Sequence, residues 1–134
     1  RQLQQAGSLP RVDIVPVYAG ASVELLAAVV ASGPAGLVID GVGRGHVPPS
    51  WMPVLRTALD KGLTVLVCSS TLHGATHQSY QFPGSLHDLE DAGAVPVSHL
   101  SARKTRIRLA LLLADGIRAT GAVRQAFDWQ QDRC

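Results

Sequence analysis

Aromatic residues make up only 4% of this 134-residue chain and charged residues 16%, with a formal net charge of +2. A field that weak points away from nucleic acid and acidic membrane surfaces as partners. The longest basic cluster, Arg103, Lys104, Arg106 and Arg108, spreads around a helix and reads as a solvated face. The two cysteines, Cys68 and Cys134, are too few and too dispersed for a disulfide framework or a zinc site. They read as a buried thiol and a terminal one. No apolar run approaches the roughly 20 residues of a membrane span, and no signal-like segment opens the chain. Three sequence signatures are missing as well: the phosphate-binding G-x-x-x-x-G-K-[ST], the nucleophile elbow G-x-S-x-G and the metal-binding H-E-x-x-H. The first residue is Arg1 and not a methionine, which suits a fragment or processed product whose targeting signals are gone. The expected compartment is the cytoplasm, with the periplasm or secretion left open.

What the chain does have is Val, Leu and Ala, which dominate a hydrophobic content of 46% and suit a parallel sheet covered by helices. Residues 1–10 are polar and Gln-rich, as in a linker or remnant, residues 11–130 form one α/β domain, and residues 131–134 are a tail. Val12 to Val17 reads as a strand, and Pro16 argues that it lies near a sheet edge. Ser22 caps a helix carrying Val23, Leu26, Ala27 and Val30, which Gly33-Pro34 stops. Gly36 to Asp40 is a second strand. A helix over Ser50 to Lys61 places Trp51, Val54, Leu55 and Ala58 on one face, with Gly62 as its cap. Leu63 to Cys68 is the clearest strand, and a long irregular stretch then runs to about Asp91. Ala94 to Val97 is a short last strand. Ser101 caps a helix to about Asp115 with Ile107, Leu111 and Ala114 on one stripe, and a final helix over Thr120 to Trp129 carries Val123 and Phe127 together. This order predicts a small open, mostly parallel four-stranded sheet flanked by about four helices, Rossmann- or flavodoxin-like in class.

Ligands of such sheets lie outside the carboxyl ends of the strands, where Tyr18 to Ser22, Asp40 to His46 and Ser69 to Gln81 fall. The glycines of Gly41-Val-Gly-Arg-Gly-His46 let the backbone turn sharply and be approached closely. As a dinucleotide fingerprint the run fails, because its third glycine comes too early, so a tight strand-to-helix turn is the better reading. Ser69, Ser70 and Thr71 lie near His73 and His77, but sequence proximity does not supply nucleophile geometry. His73 and His77 have the spacing of helical metal ligands, yet Gly74 interrupts them and loop histidines are favoured. Asp40 fits a sheet-end site residue and a turn or cap role equally well.

Five segments in order, Val17-Tyr-Ala-Gly-Ala-Ser22, Leu37 to His46, Val67-Cys-Ser-Ser70, His73-Gly-Ala-Thr76 and Leu100-Ser-Ala-Arg-Lys-Thr-Arg106, resemble the C-terminal domain of bacterial L-asparaginases. The similarity spans about Arg11 to Trp129. It implies a part of an amidohydrolase, one that converts asparagine and water to aspartate and ammonia. In that family the nucleophilic threonines, an aspartate and a lysine lie on a larger N-terminal domain, and none of that domain is present in this chain. The small domain closes a neighbouring subunit's active site within a homodimer, two of which commonly form a tetramer. The resemblance implies no cofactor and no catalytic residue in this chain. It makes Tyr18, Gly20, Ser22 and Gln81 substrate-side candidates, and it casts Gly41, Gly43 and Gly45 as an interface or structural turn with Arg44 and His46 as contact residues.

Two departures from the family pattern stand out. Gly20 replaces an asparagine of Tyr-Ala-Asn-Ala-Ser, and Gln81 stands where many members place a glutamate for the substrate ammonium. Two other readings compete: a stand-alone small-molecule-binding module with the glycine turn as its anion site, and the same domain from a glutaminase-asparaginase or a tRNA-linked amidotransferase. An exposed apolar patch and self-association are further expectations.

Overall fold

A computed structural model describes residues 9–18, 20–41, 46–69 and 84–132. Four strands, β1 (Val12–Pro16), β2 (Gly36–Gly41), β3 (Thr64–Ser69) and β4 (Val95–Val97), form one sheet in the order β1-β2-β3-β4, with every neighbouring pair parallel. The prolines fall where a missing donor costs least: Pro16 and Pro96 lie on the two outer strands. The inner strands alternate between two dry faces. Leu37 and Ile39 of β2, with Val65 and Val67 of β3, enter one core, while Val38, Leu66 and Cys68 enter the other, all at 1% exposure or less. Burial on both faces is why these strands read as unbroken apolar runs.

The three crossovers pack on the first face. They are α1 (Val23–Ala31), α2 (Met52–Asp60), which is preceded by a short 3-10 turn at Pro49–Trp51, and α3 (Leu86–Ala92). Leu26, Trp51, Leu55, Leu86 and Leu89 fill that core. Helices α4 (Ala102–Ala114) and α5 (Thr120–Asp132) cover the second face through Leu109, Leu113, Val123 and Phe127. Gly36 makes close cover possible there: a Cβ on it would stand 2.9 Å from Leu109 Cδ2 and 3.0 Å from Leu113 Cδ1.

The open parallel α/β architecture is the expected one, and two details differ. Five α-helices flank the sheet, because the stretch expected to be irregular to Asp91 contains α3. Its start is set by Ser85 Oγ, which accepts from Asp88 N at 3.1 Å, and its stop by Gly93 at φ +115°. Seven residues with two buried leucines are too short to show a period. On α4 the expected stripe of Ile107, Leu111 and Ala114 holds only at Ala114, which is buried. Ile107 and Leu111 are 48% and 43% exposed, while Ala102, Thr105, Leu109, Ala110 and Leu113 face the sheet. Apolar residues lie on both sides of α4, so periodicity could not select between them. The last helix also runs past Trp129 to Asp132.

Candidate functional site

The described part of the carboxyl edge comprises the turn after β1 and the ends of β2 and β3. After β1, Val17 N donates to Asp40 O at 2.9 Å, extending the β1–β2 pairing, and a turn closed by Ala21 N to Tyr18 O at 2.9 Å follows. Tyr18 is 52% exposed. Gly20 sits at φ +81° with open space around the position of a Cβ. Ser22 is the N-cap of α1, its Oγ accepting from Glu24 N at 3.0 Å. Ala21 and Val23 pack on the same core as Val47 and Trp51, which ties this turn to the segment after β2.

Gly41 ends β2 in register with Ser69 of β3. Gly43, Arg44, Gly45 and Gln81 lie outside the described residues, as do Ser70, Thr71, His73 and His77. The described chain resumes at His46 and at Gly84, and these two points are bonded together. Val47 N donates to Gly84 O at 2.8 Å, and Leu86 N donates to His46 Nδ1 at 3.2 Å. The second bond needs a lone pair on Nδ1, so a neutral His46 carries its proton on Nε2. Gly84 N in turn donates to Asp88 Oδ2 at 3.0 Å, and Arg56 pairs with the other oxygen of that carboxylate. Thus the segments after β2 and β3 leave the sheet from paired residues and return to a shared anchor. No local sequence signal announces this clamp, since its partners are 40 and 32 residues apart.

Chemically the described edge is quiet. Burial pushes the Cys68 thiol up to about 11; the Thr105 hydroxyl, 3.3 Å away, acts downward by donating to the thiolate form, and Asp40 acts upward. It therefore stays a thiol near neutral pH and offers no nucleophile. Asp40 is half-buried at the end of β2, opposite Cys68. Among the described residues no three His, Cys, Asp or Glu side chains are placed to hold a metal ion. Nor is any described helix long and apolar enough to cross a membrane. Two shallow grooves of about 280 and 430 Å³ open at the opposite, amino edge, sharing Gly62, Leu63 and Arg118, away from these turns.

His99, just past β4, did not figure among the sequence candidates. Both of its ring nitrogens are sealed from solvent, and the nearby Phe127 carbonyl meets neither with good hydrogen-bond geometry. Burial pushes its pKa below the ordinary 6.5; the Phe127 carbonyl opposes this, Arg108 adds to it, and Asp128 opposes it. The folded state then takes up its proton less readily than the unfolded chain, so stability is full above pH 6.5 and declines as the pH falls below it. Replacing His99→Phe is expected to flatten the dependence of the denaturation midpoint on pH as the pH falls below 6.5. A variant that keeps the wild-type slope there would contradict this.

Comparison with known proteins matches residues 11–127 to the Glutaminase/Asparaginase C-terminal domain model. The chain is similar to an L-asparaginase of Bacillus licheniformis, 37% identical over 113 residues, which cover 84% of this chain and 34% of that protein. It is also similar to a probable L-asparaginase of Deinococcus radiodurans, 37% identical over 77% of this chain and 31% of that protein. One polypeptide of the glutamyl-tRNA(Gln) amidotransferase of Pyrococcus furiosus is 32% identical over 77% of this chain and 23% of its own length. The chain thus spans about a third or less of the curated relatives it matches. The match over residues 11–127, together with the parallel four-stranded sheet, places the chain in the glutaminase/asparaginase C-terminal domain family.

Proposed function

We propose that this chain is the closing domain of an asparaginase-type amidohydrolase, supplying substrate-side and interface residues to an active site whose nucleophile lies on another domain. The observation that carries the reading is a carboxyl edge with exposed Tyr18 beside an open turn at Gly20, and with its one described thiol held protonated. Tyr18, the Gly20 backbone, Ser22 and Gln81 contact the substrate in a neighbouring subunit. Gly41, Gly43 and Gly45 form a close-approach turn where domains or subunits meet, with Arg44 and His46 at that contact. The parent enzyme attacks the asparagine side-chain amide with a threonine, and it works as a homodimer or homotetramer.

Two measurements test the reading. Pure chain alone is expected to release no ammonia from asparagine; appreciable release would demand a nucleophile of its own and end the reading. In the full-length protein, Gly20→Asn with Gln81→Glu restores a side chain at an open position that asparagine tolerates and a charge for the substrate ammonium. The KM for asparagine should fall about tenfold, equivalent to about 1.4 kcal/mol, with kcat little changed. An unchanged KM would remove both residues from the substrate site. The similarity to the glutamyl-tRNA(Gln) amidotransferase favours a second reading, the same domain serving tRNA-linked amidation. Ammonia release by the full-length protein that requires tRNA would select it.

A further inference from the structure

We propose that α4 docks antiparallel on α4 of a second copy of this chain. The sheet uses one side of this helix, and the other side presents Arg103, Ile107 and Leu111, followed by the C-cap Asp115, all exposed. These four residues lie at steps of four, which makes one continuous ridge. The ridge is self-complementary. A two-fold axis at the level of residue 109 sets Ile107 against the partner's Leu111 and Arg103 against the partner's Asp115, and each pairing occurs twice. Charge of opposite sign at the two ends, with apolar bulk between, fits the same ridge running the other way. A parallel arrangement would set like charges together. Among the described residues neither Arg103 nor Asp115 has an ion-pair partner within the chain that would compete for it.

Two helices crossing through their i±4 ridges is the commonest packing class, and its inclination of about −50° lets the long Arg103 side chain reach across as the helices diverge. A solvated helix of a globular domain ordinarily turns polar residues outward. Here half-exposed isoleucine and leucine stand one turn apart on the side that also carries exposed Arg103 and Lys104. The contact is small beside the roughly 800 Å² per partner of a standard specific interface. For the isolated chain the dissociation constant is therefore expected at about 0.1–1 mM.

Sedimentation equilibrium up to about 1 mM reads the proposal directly. Arg103→Asp and Asp115→Arg should each weaken dimerisation at least tenfold, because each sets two like-charged pairs across the axis. Both changes favour the helix, placing an acid in the first turn or a base at the end, so unfolding cannot account for a loss. Mixed in equal amounts, the two variants should associate again as heterodimers, since every cross-axis pair then has opposite sign. Leu111→Asp should abolish association, with circular dichroism unchanged. A wild-type chain that stays monomeric at the highest concentration overturns the proposal, as does growth past the dimer or a mixture that fails to restore association.

Discussion

Substituting Gly84→Ala is expected to destabilise the chain by roughly 3 kcal/mol and to lower its melting temperature by about 10 °C. The backbone there lies at φ +86°, a conformation that costs a residue bearing a Cβ about 1–2 kcal/mol. The new methyl carbon would stand 2.2 Å from Val47 O and 3.2 Å from Pro49 N, and both are main-chain atoms that no rotamer change can move aside. Relief requires shifting the Val47 peptide, which gives up its 2.8 Å bond to Gly84 O and disturbs the His46–Leu86 bond beside it. That loss adds about 1 kcal/mol per bond. Gly20→Ala is the control, since Gly20 shares the positive φ but has nothing within 4 Å of a Cβ. Chemical denaturation of the two variants separates backbone strain from collision. If Gly84→Ala costs no more than Gly20→Ala, the clamp between the segments after β2 and β3 does not hold the carboxyl edge together.

That clamp marks the boundary of what local sequence reveals. Helix starts at Ser22 and Ser101, the edge position of β1 from Pro16, and the buried strand ending at Cys68 all follow from signals within a few residues, and all stand in the structure. The turns at Tyr18 to Ser22 and at Gly41 were legible as strand ends for the same reason. What failed was information of longer range. The helix α3 has local caps at Ser85 and Gly93 but is too short to show a period. The bond from Leu86 N to His46 and the ion pair from Asp88 to Arg56 that tie it down are not visible from Leu86 to Ala92 alone. On α4 the side that meets the sheet is chosen by Gly36, far upstream of Leu109 in the chain, which opens room for leucine at just that place. Ile107 and Leu111 were equally apolar, and nothing local ranked them second.

The other large effect is expected at the seam where the last helix joins the domain. Phe127→Ala should cost about 3–5 kcal/mol, the range for deleting a fully buried aromatic ring. Among the described side chains of α5, Val123 and Phe127 are the buried ones that enter the second core. Removing the ring leaves Val123 alone among them. The Arg108 guanidinium, 5.7 Å from the ring centroid, also loses its aromatic face, worth about 0.5–1 kcal/mol at a partly exposed site. Because β2 and β3 keep their own contacts on both faces, the loss should be partly local. Amide exchange in α5 should speed up by more than that in β2 and β3, whose protection tracks global unfolding. The same substitution loosens the cover over His99, which packs beside the Phe127 backbone. Its pKa should then move back up toward 6.5, a shift readable from imidazole chemical shifts during titration. Destabilisation of less than about 1 kcal/mol, well under the range for such a deletion, or α5 exchange that rises only in step with the sheet, would show that the helix is held by something other than this ring.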